Sequence, residues 1–182
     1  MRCRHLLLHS MPRKDVRHGI GPCLLGVIGI GLIGFSAAHN KTPWLIWNAS
    51  PSAPVGLYRM ISGVPQKGDF VLVRPPKPIS QLASSRLYIP ANVPFVKRIS
   101  ATAGDHVCAH HRVILINGHA VARQLERDSS GRKMPLWQGC RLLQEGEYFL
   151  LMTEALASFD SRYSGPVRSK NLIGRLVPLW VN

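Results

Sequence analysis

Six residues in three short stretches carry side chains suited to acyl-transfer chemistry: Ser50 and Ser52, then Lys97, then Ser158, Asp160 and Arg162. Taken singly, each has a plain structural explanation. Ser50 and Ser52 alternate with Pro51 and Pro54, and serine and proline are favoured in turns. Lys97-Arg98 within a strand reads as a solvated face, and Asp160 with Arg162 reads as a structural ion pair capped by Tyr163. Together, and in this order behind an apolar segment, they describe a possible nucleophile and base. A serine hydroxyl attacks a carbonyl only when a base takes its proton, and lysine is that base only when neutral. A free lysine titrates near ~10.4, so a working one must be desolvated, which disfavours its charged form. Phe95, Val96 and Ile99 around Lys97 are apolar, and strand alternation sends Val96 and Arg98 to the face opposite Lys97. The eight histidines form no Ser/His/Asp pattern.

The elements that must position these groups are short and mostly extended. Residues 48–56 hold two prolines and a glycine and form a loop. Strands are expected at Leu57–Ile61, Phe70–Arg74, Phe95–Ala101, Arg112–Ile116, Tyr148–Met152 and Leu172–Leu179, bounded by Gly-containing turns. Asn117-Gly118 between apolar runs is the clearest hairpin signal. Residues 122–140 are polar and irregular and read as a surface excursion. The pattern is all-β.

The net charge is +14, from 23 Lys and Arg against 9 Asp and Glu. No basic run interleaved with aromatics accompanies it, which argues against nucleic-acid binding as the function. Residues 1–18 carry a net of +4, and residues 19–38 carry no charged side chain. Twenty such residues suffice to cross a bilayer of ~30 Å core, and the cationic flank places the segment's start in the cytoplasm. Ser36-Ala37-Ala38 also has the small residues of a signal-cleavage site, so the segment is either an anchor or a removable signal. The expected organisation is thus a cytoplasmic segment 1–18, a membrane or signal segment 19–38, and a periplasmic domain 39–182. In that oxidising space Cys108 and Cys140 are expected to form a disulfide that ties down the excursion. Cys108 with His110 and His111 suggests zinc, but the adjacent histidines do not face one metal, and no metal is expected.

The three stretches resemble the motifs of the signal peptidase I family. Ser50-Pro-Ser52-Ala-Pro54-Val-Gly56-Leu-Tyr58 is similar to its nucleophile motif. Phe95-Val-Lys97-Arg98 with Gly104-Asp105 beyond is similar to its lysine motif, and Ser158-Phe-Asp160-Ser-Arg162-Tyr163 to its last. The compact spacing around Ser52 and the stretch 135–151 resemble the TraF-like, conjugative-transfer branch. The resemblance runs from about residue 48 to the C-terminus. It implies an antiparallel coiled sheet or partly open barrel and a serine endopeptidase with Ser52 as nucleophile and Lys97 as base. It further implies Ser50 in the oxyanion hole, Ser158 orienting Lys97, and Asp160 with Arg162 as structural support, with no cofactor. The implied substrate is an exported or membrane-inserted precursor, by analogy a pilin precursor, handled beside conjugation components. The sequence departs from the family at Ala53, where methionine is usual, and at 152–157, where a longer Gly-Asp-Asn lead is usual. Those departures bear on substrate fit and leave the dyad untouched. Two rivals stand beside this reading. One is a non-enzymatic membrane-anchored assembly component. The other is a self-cleaving repressor, which would need a DNA-binding module where residues 1–47 offer an apolar segment.

Overall fold

The computed structural model describes residues 20–38 and 43–182. The chain divides into two units, residues 1–41 and 42–182. In the first, α1 (Ile20–Ala38) is a helix of 19 residues, about 28 Å long at helical rise. Among the described residues, no helix is long and apolar enough to cross a membrane. The described large apolar side chains of α1, Leu24, Leu25, Val27, Ile28, Ile30 and Leu32, are all exposed. The basic segment 1–18 lies outside the described residues.

The second unit is mainly β. Its strands are β1 (Leu45–Asn48), β2 (Gly56–Ile61), β3 (Phe70–Val73), β4 (Phe95–Ala101), β5 (His106–His110) and β6 (Val113–Ile116). They continue with β7 (His119–Arg123), β8 (Gly139–Leu142), β9 (Glu147–Leu151), β10 (Val167–Arg168) and β11 (Leu172–Val181). Two helical pieces interrupt them, α2 (Lys77–Ser85) and the one-turn α3 (Ser161–Ser164). The strands form a seven-stranded antiparallel sheet ordered β1-β2-β11-β3-β4-β9-β10, curled into a half-barrel, and a four-stranded sheet ordered β7-β6-β5-β8. All six expected strands form, with ends displaced by one or two residues. Asn117 and Gly118 take the positive φ values of 51° and 83° that a tight two-residue hairpin between β6 and β7 requires.

β4 is the element that builds the interior. Flanked by β3 and β9, it has both faces covered. Phe95 and Ile99 enter one apolar cluster with Val71, Leu150, Phe159 and Tyr163. Val96 enters another, on the opposite face, with Ala53, Tyr58, Leu72 and Leu176. Lys97 therefore rises from the face of Phe95 and Ile99.

Strands β1, β5, β8 and β10 were not among those expected, and two further differences bear on the site. α2 was hidden by its short length and by Pro78 in its first turn, although Ile79, Leu82 and the buried Ala83 follow helical spacing. The excursion at 122–140 is more than surface: Gln124 is buried and donates to the carbonyls of Trp137 and Arg162. Asp128 accepts hydrogen bonds from the Tyr88 hydroxyl and from Arg132, which folds the polar segment back on itself. The bond from Tyr88 holds the Asp128 carboxyl well below the usual carboxylate range. Polar composition predicted solvent, but its charges pair with one another.

At its end the excursion is anchored by the Cys108–Cys140 disulfide, formed between residues directly opposite on β5 and β8 with Cα atoms 4.0 Å apart. The bridge closes a loop with a sequence separation of 32. Loop-closure entropy puts the cost of removing it at about 3–4 kcal/mol. The double variant Cys108→Ser/Cys140→Ser should show that loss in urea denaturation, and a loss below about 1 kcal/mol would mean the excursion is held by its own packing.

Candidate active site

The loop 49–55 joins β1 to β2 and carries Ser50 and Ser52. Its base is closed by pairing of Asn48 with Gly56. Gly56 has φ +150°, and a Cβ there would stand 2.1 Å from the Trp180 carbonyl oxygen of β11, so only glycine lets β11 approach the foot of the loop. The Tyr58 hydroxyl donates to the Pro54 carbonyl at 2.7 Å and holds the far end.

Lys97 reaches this loop across 45 positions of sequence, with Nζ 3.0 Å from Ser52 Oγ. The same Nζ lies 2.9 Å from Ser158 Oγ, and Ser158 is itself buried. Lys97 is only 4% exposed. Burial pushes its pKa down to about 8. The Asp160 carboxylate opposes that shift, and the Arg162 guanidinium adds to it. The Phe95 ring lies beneath the ammonium, 5.8 Å to its centroid.

Asp160 does not salt-bridge to Lys97. Both its oxygens accept from Arg162, Oδ1 from Nε at 2.8 Å and Oδ2 from Nη2 at 3.1 Å. The Asp160 side chain also accepts from the backbone N–H of Met152 and of Arg162, capping α3. Arg162 donates further to the carbonyls of Leu156 and Met152, each at 2.9 Å. This buried pair thus holds the segment carrying Ser158 against β9.

Ser50 Oγ is 3.0 Å from Ser52 Oγ and accepts from the Ser52 N–H at 3.4 Å. The structure therefore brings Ser50, Ser52, Lys97 and Ser158 into one chain of contacts, with Asp160 and Arg162 behind it. In front lies a cleft of about 500 Å³, whose walls include Ile89, Phe95, Leu125, Met134, Leu156 and Phe159. Leu125 and Met134 belong to the excursion and were missed from sequence, as was Asn48, whose amide bonds into the nucleophile loop.

His110 and His111 stack on each other, ring centroids 4.0 Å apart. His106 instead approaches Cys108, with Nδ1 3.7 Å from Sγ. Among the described residues, His106, Cys108 and Cys140 are the one trio close enough to share a metal. Both sulfurs are occupied in the disulfide, so neither is a free thiolate for a metal.

A curled antiparallel half-barrel that places a buried lysine on a loop serine has the architecture of a signal-peptidase-type protein. The chain belongs to the family described as signal peptidase, peptidase S26, whose signature covers residues 19–180. Within it the chain is TraF-like. It is 31% identical over 167 residues to the conjugal transfer protein TraF of Agrobacterium fabrum (strain C58 / ATCC 33970), covering 86% of this chain and 93% of that protein. It is 31% identical over 142 residues to a plasmid transfer protein TraF of Escherichia coli, covering 72% of this chain and 80% of that one. Among solved structures, a signal peptidase I from Enterococcus faecalis V583 matches with a TM-score of 0.37 at 22% identity, covering 63% of this chain and 98% of the other.

Proposed function

We propose that the chain is a serine endopeptidase that processes exported or membrane-inserted precursors, with Ser52 as nucleophile and Lys97 as general base. One observation carries this: a lysine buried to 4% exposure, contacting two serine hydroxyls, beside an aspartate already claimed by an arginine. A protein serving only as an assembly scaffold gains nothing from a desolvated lysine there.

In the proposed reaction neutral Lys97 takes the Ser52 hydroxyl proton as Oγ bonds to the scissile carbonyl carbon. The Ser52 N–H and the Ser50 hydroxyl, rotated toward substrate, donate to the oxyanion, a role in which one donor is worth ~3–4 kcal/mol. As the intermediate collapses, the C–N bond breaks and Lys97 returns its proton to the leaving amine. The acyl group on Ser52 then passes to water, deprotonated by Lys97, or to an amine presented in its place. Ser158 keeps Nζ aimed at Ser52 throughout.

Similarity to TraF proteins named for plasmid and conjugal transfer supports a substrate within a conjugation system, and a pilin precursor is the substrate we propose. Membrane association is supported by the exposed apolar side chains of α1. It is also supported, separately, by exposed Trp44, Leu45, Trp47, Leu179 and Trp180 on and beside β1 and β11, where the Trp47 and Trp180 rings lie 6.1 Å apart. Exposed tryptophan suits a membrane–water interface. We place the catalytic domain in the periplasm, associated with the membrane through the exposed apolar side chains of α1 or released after cleavage behind Ala38.

The test is incubation of the purified protein with pilin precursors of a conjugation system, followed by mass spectrometry. Wild type should give a defined new terminus, or a cyclised product. Ser52→Ala should lose at least ~10⁴-fold in rate. Equal processing by Ser52→Ala would remove the nucleophile assignment.

A further inference from the structure

We infer that Asn48 is a positioning residue for catalysis, holding the nucleophile loop in its working shape by gathering that loop's carbonyls onto one side-chain amide. This rests on the serine-peptidase reading of Ser52.

Asn48 ends β1 and is only 6% exposed. Its Nδ2 lies 2.9 Å from the Ser50 carbonyl, 3.1 Å from that of Ala53 and 3.0 Å from that of Pro54. Its Oδ1 accepts the Ser50 N–H at 3.2 Å. The partners lie on both sides of Ser52, so one planar group fixes the chain entering and leaving the nucleophile. The loop needs this from outside. Pro51 and Pro54 lack backbone N–H groups, and the bond made within the loop's own backbone, Ala53 N–H to the Ser50 carbonyl, is long at 3.4 Å. Partly buried carbonyls with too few donors are costly. Asn48 shares its two amide hydrogens among the three, adding to the long Ala53 N–H bond at Ser50 and to the Tyr58 hydroxyl at Pro54.

The consequence reaches the chemistry. With the carbonyls of Ser50, Ala53 and Pro54 held on Asn48, they are kept from turning toward the substrate, where a carbonyl oxygen would repel a developing oxyanion. The Ser52 N–H is left with only its 3.4 Å contact to Ser50 Oγ and stays available to the oxyanion. The residue type is demanding. Aspartate keeps the acceptor for the Ser50 N–H but has no donor and sets a carboxylate against three carbonyl oxygens. Serine is shorter and carries a single donor.

The experiment compares wild type, Ser52→Ala, Asn48→Asp and Asn48→Ser for kcat, KM, pH profile and melting temperature on a cleavable precursor. Asn48→Asp should lower kcat about 100-fold, the scale expected when a reacting group is misplaced by about 1 Å. KM should stay within about threefold, because the cleft walls formed by Phe95, Leu125 and Met134 are untouched. The pH limb set by Lys97 should not move in Asn48→Ser, which adds no charge, whereas the new carboxylate of Asn48→Asp can only raise it. Asn48→Ser should lose about tenfold in kcat. Where Asn48→Asp does not fold, Asn48→Ser decides by the same criteria. A kcat within about threefold of wild type in the folded variants, or a loss confined to KM, or a displaced pH limb in Asn48→Ser, would overturn the inference. Should Ser52→Ala cleave like wild type, the peptidase reading itself fails, an outcome distinct from any result with Asn48.

Discussion

Lys97→Met should abolish processing and at the same time yield a more stable protein at neutral pH. In the proposed mechanism the base is lost outright, which costs at least ~10⁴-fold in rate. The gain in stability follows from proton linkage. Burial pushes the Lys97 pKa down to about 8 from an ordinary value of 10.5, so the unfolded chain binds a proton more tightly than the folded one. That penalty is fully present below pH 8, shrinks between pH 8 and 10.5, and vanishes above, and it is worth roughly 3 kcal/mol at pH 7. Methionine has similar volume and no charge to desolvate. Allowing for the two lost hydrogen bonds to Ser52 and Ser158, the net gain should be about 1–3 kcal/mol at pH 7 and fade by pH 10.5. Urea denaturation at the two pH values measures it. Wild-type kcat/KM should correspondingly rise with pH and level off above about 8, falling about tenfold per unit below. A profile breaking near 6.5, as for histidine, or residual activity in Lys97→Met, would remove Lys97 from the base role.

Arg162→Met should have the largest effect on folding, about 3–5 kcal/mol of lost stability, because it leaves the Asp160 carboxylate buried without its cation. The side chains of the pair are 1% and 0% exposed, and Arg162 also satisfies the carbonyls of Leu156 and Met152. A second readout separates this pair from a generic core contact. With Arg162 gone, the repulsion of the Lys97 ammonium by the guanidinium is lost while the pull of Asp160 stays, so the Lys97 pKa rises. The pH–rate limb of any folded Arg162→Met should therefore move to higher pH. The double variant Asp160→Asn/Arg162→Met, lacking both charges, should recover part of the stability and return the limb toward its wild-type position. A loss under about 1 kcal/mol, with an unmoved limb, would mean that solvent reaches Asp160 and the pair is a surface feature.

Much of the site was legible in the residues. Serines set between prolines declare a turn, because proline limits backbone geometry. The apolar neighbours of Lys97 suit a desolvated lysine, but the Lys97-Arg98 pair alone reads as a solvated face, and its role came with the family resemblance. The all-β class followed from short β-branched and aromatic runs bounded by glycine turns, the antiparallel coiled sheet from the family resemblance, and Asn117-Gly118 specified its hairpin because both residues tolerate positive φ.

What the sequence could not decide was distance. Ser52 and Lys97 stand 45 positions apart, and Lys97 and Ser158 stand 61 apart. They meet because β4 lies between β3 and β9 in the sheet, and no local preference encodes that order. Asn48 was unremarked for the same reason, since its value lies in three carbonyls that converge only once Pro51 and Pro54 have turned the chain. The excursion is mostly at the surface, as its polarity indicated, but polarity reports only what a side chain does in water and hid the part that walls the cleft. Asp128 pairs locally with Arg132 but meets Tyr88, 40 positions away, only after tertiary folding, and that meeting makes a polar segment into a wall of the cleft. Faces and turns are set by forces acting within a few residues, and so could be read from residue order alone. The tertiary structure decided which charges are paired and which lysine is left without a carboxylate partner, because pairing and desolvation depend on groups brought together from distant parts of the chain.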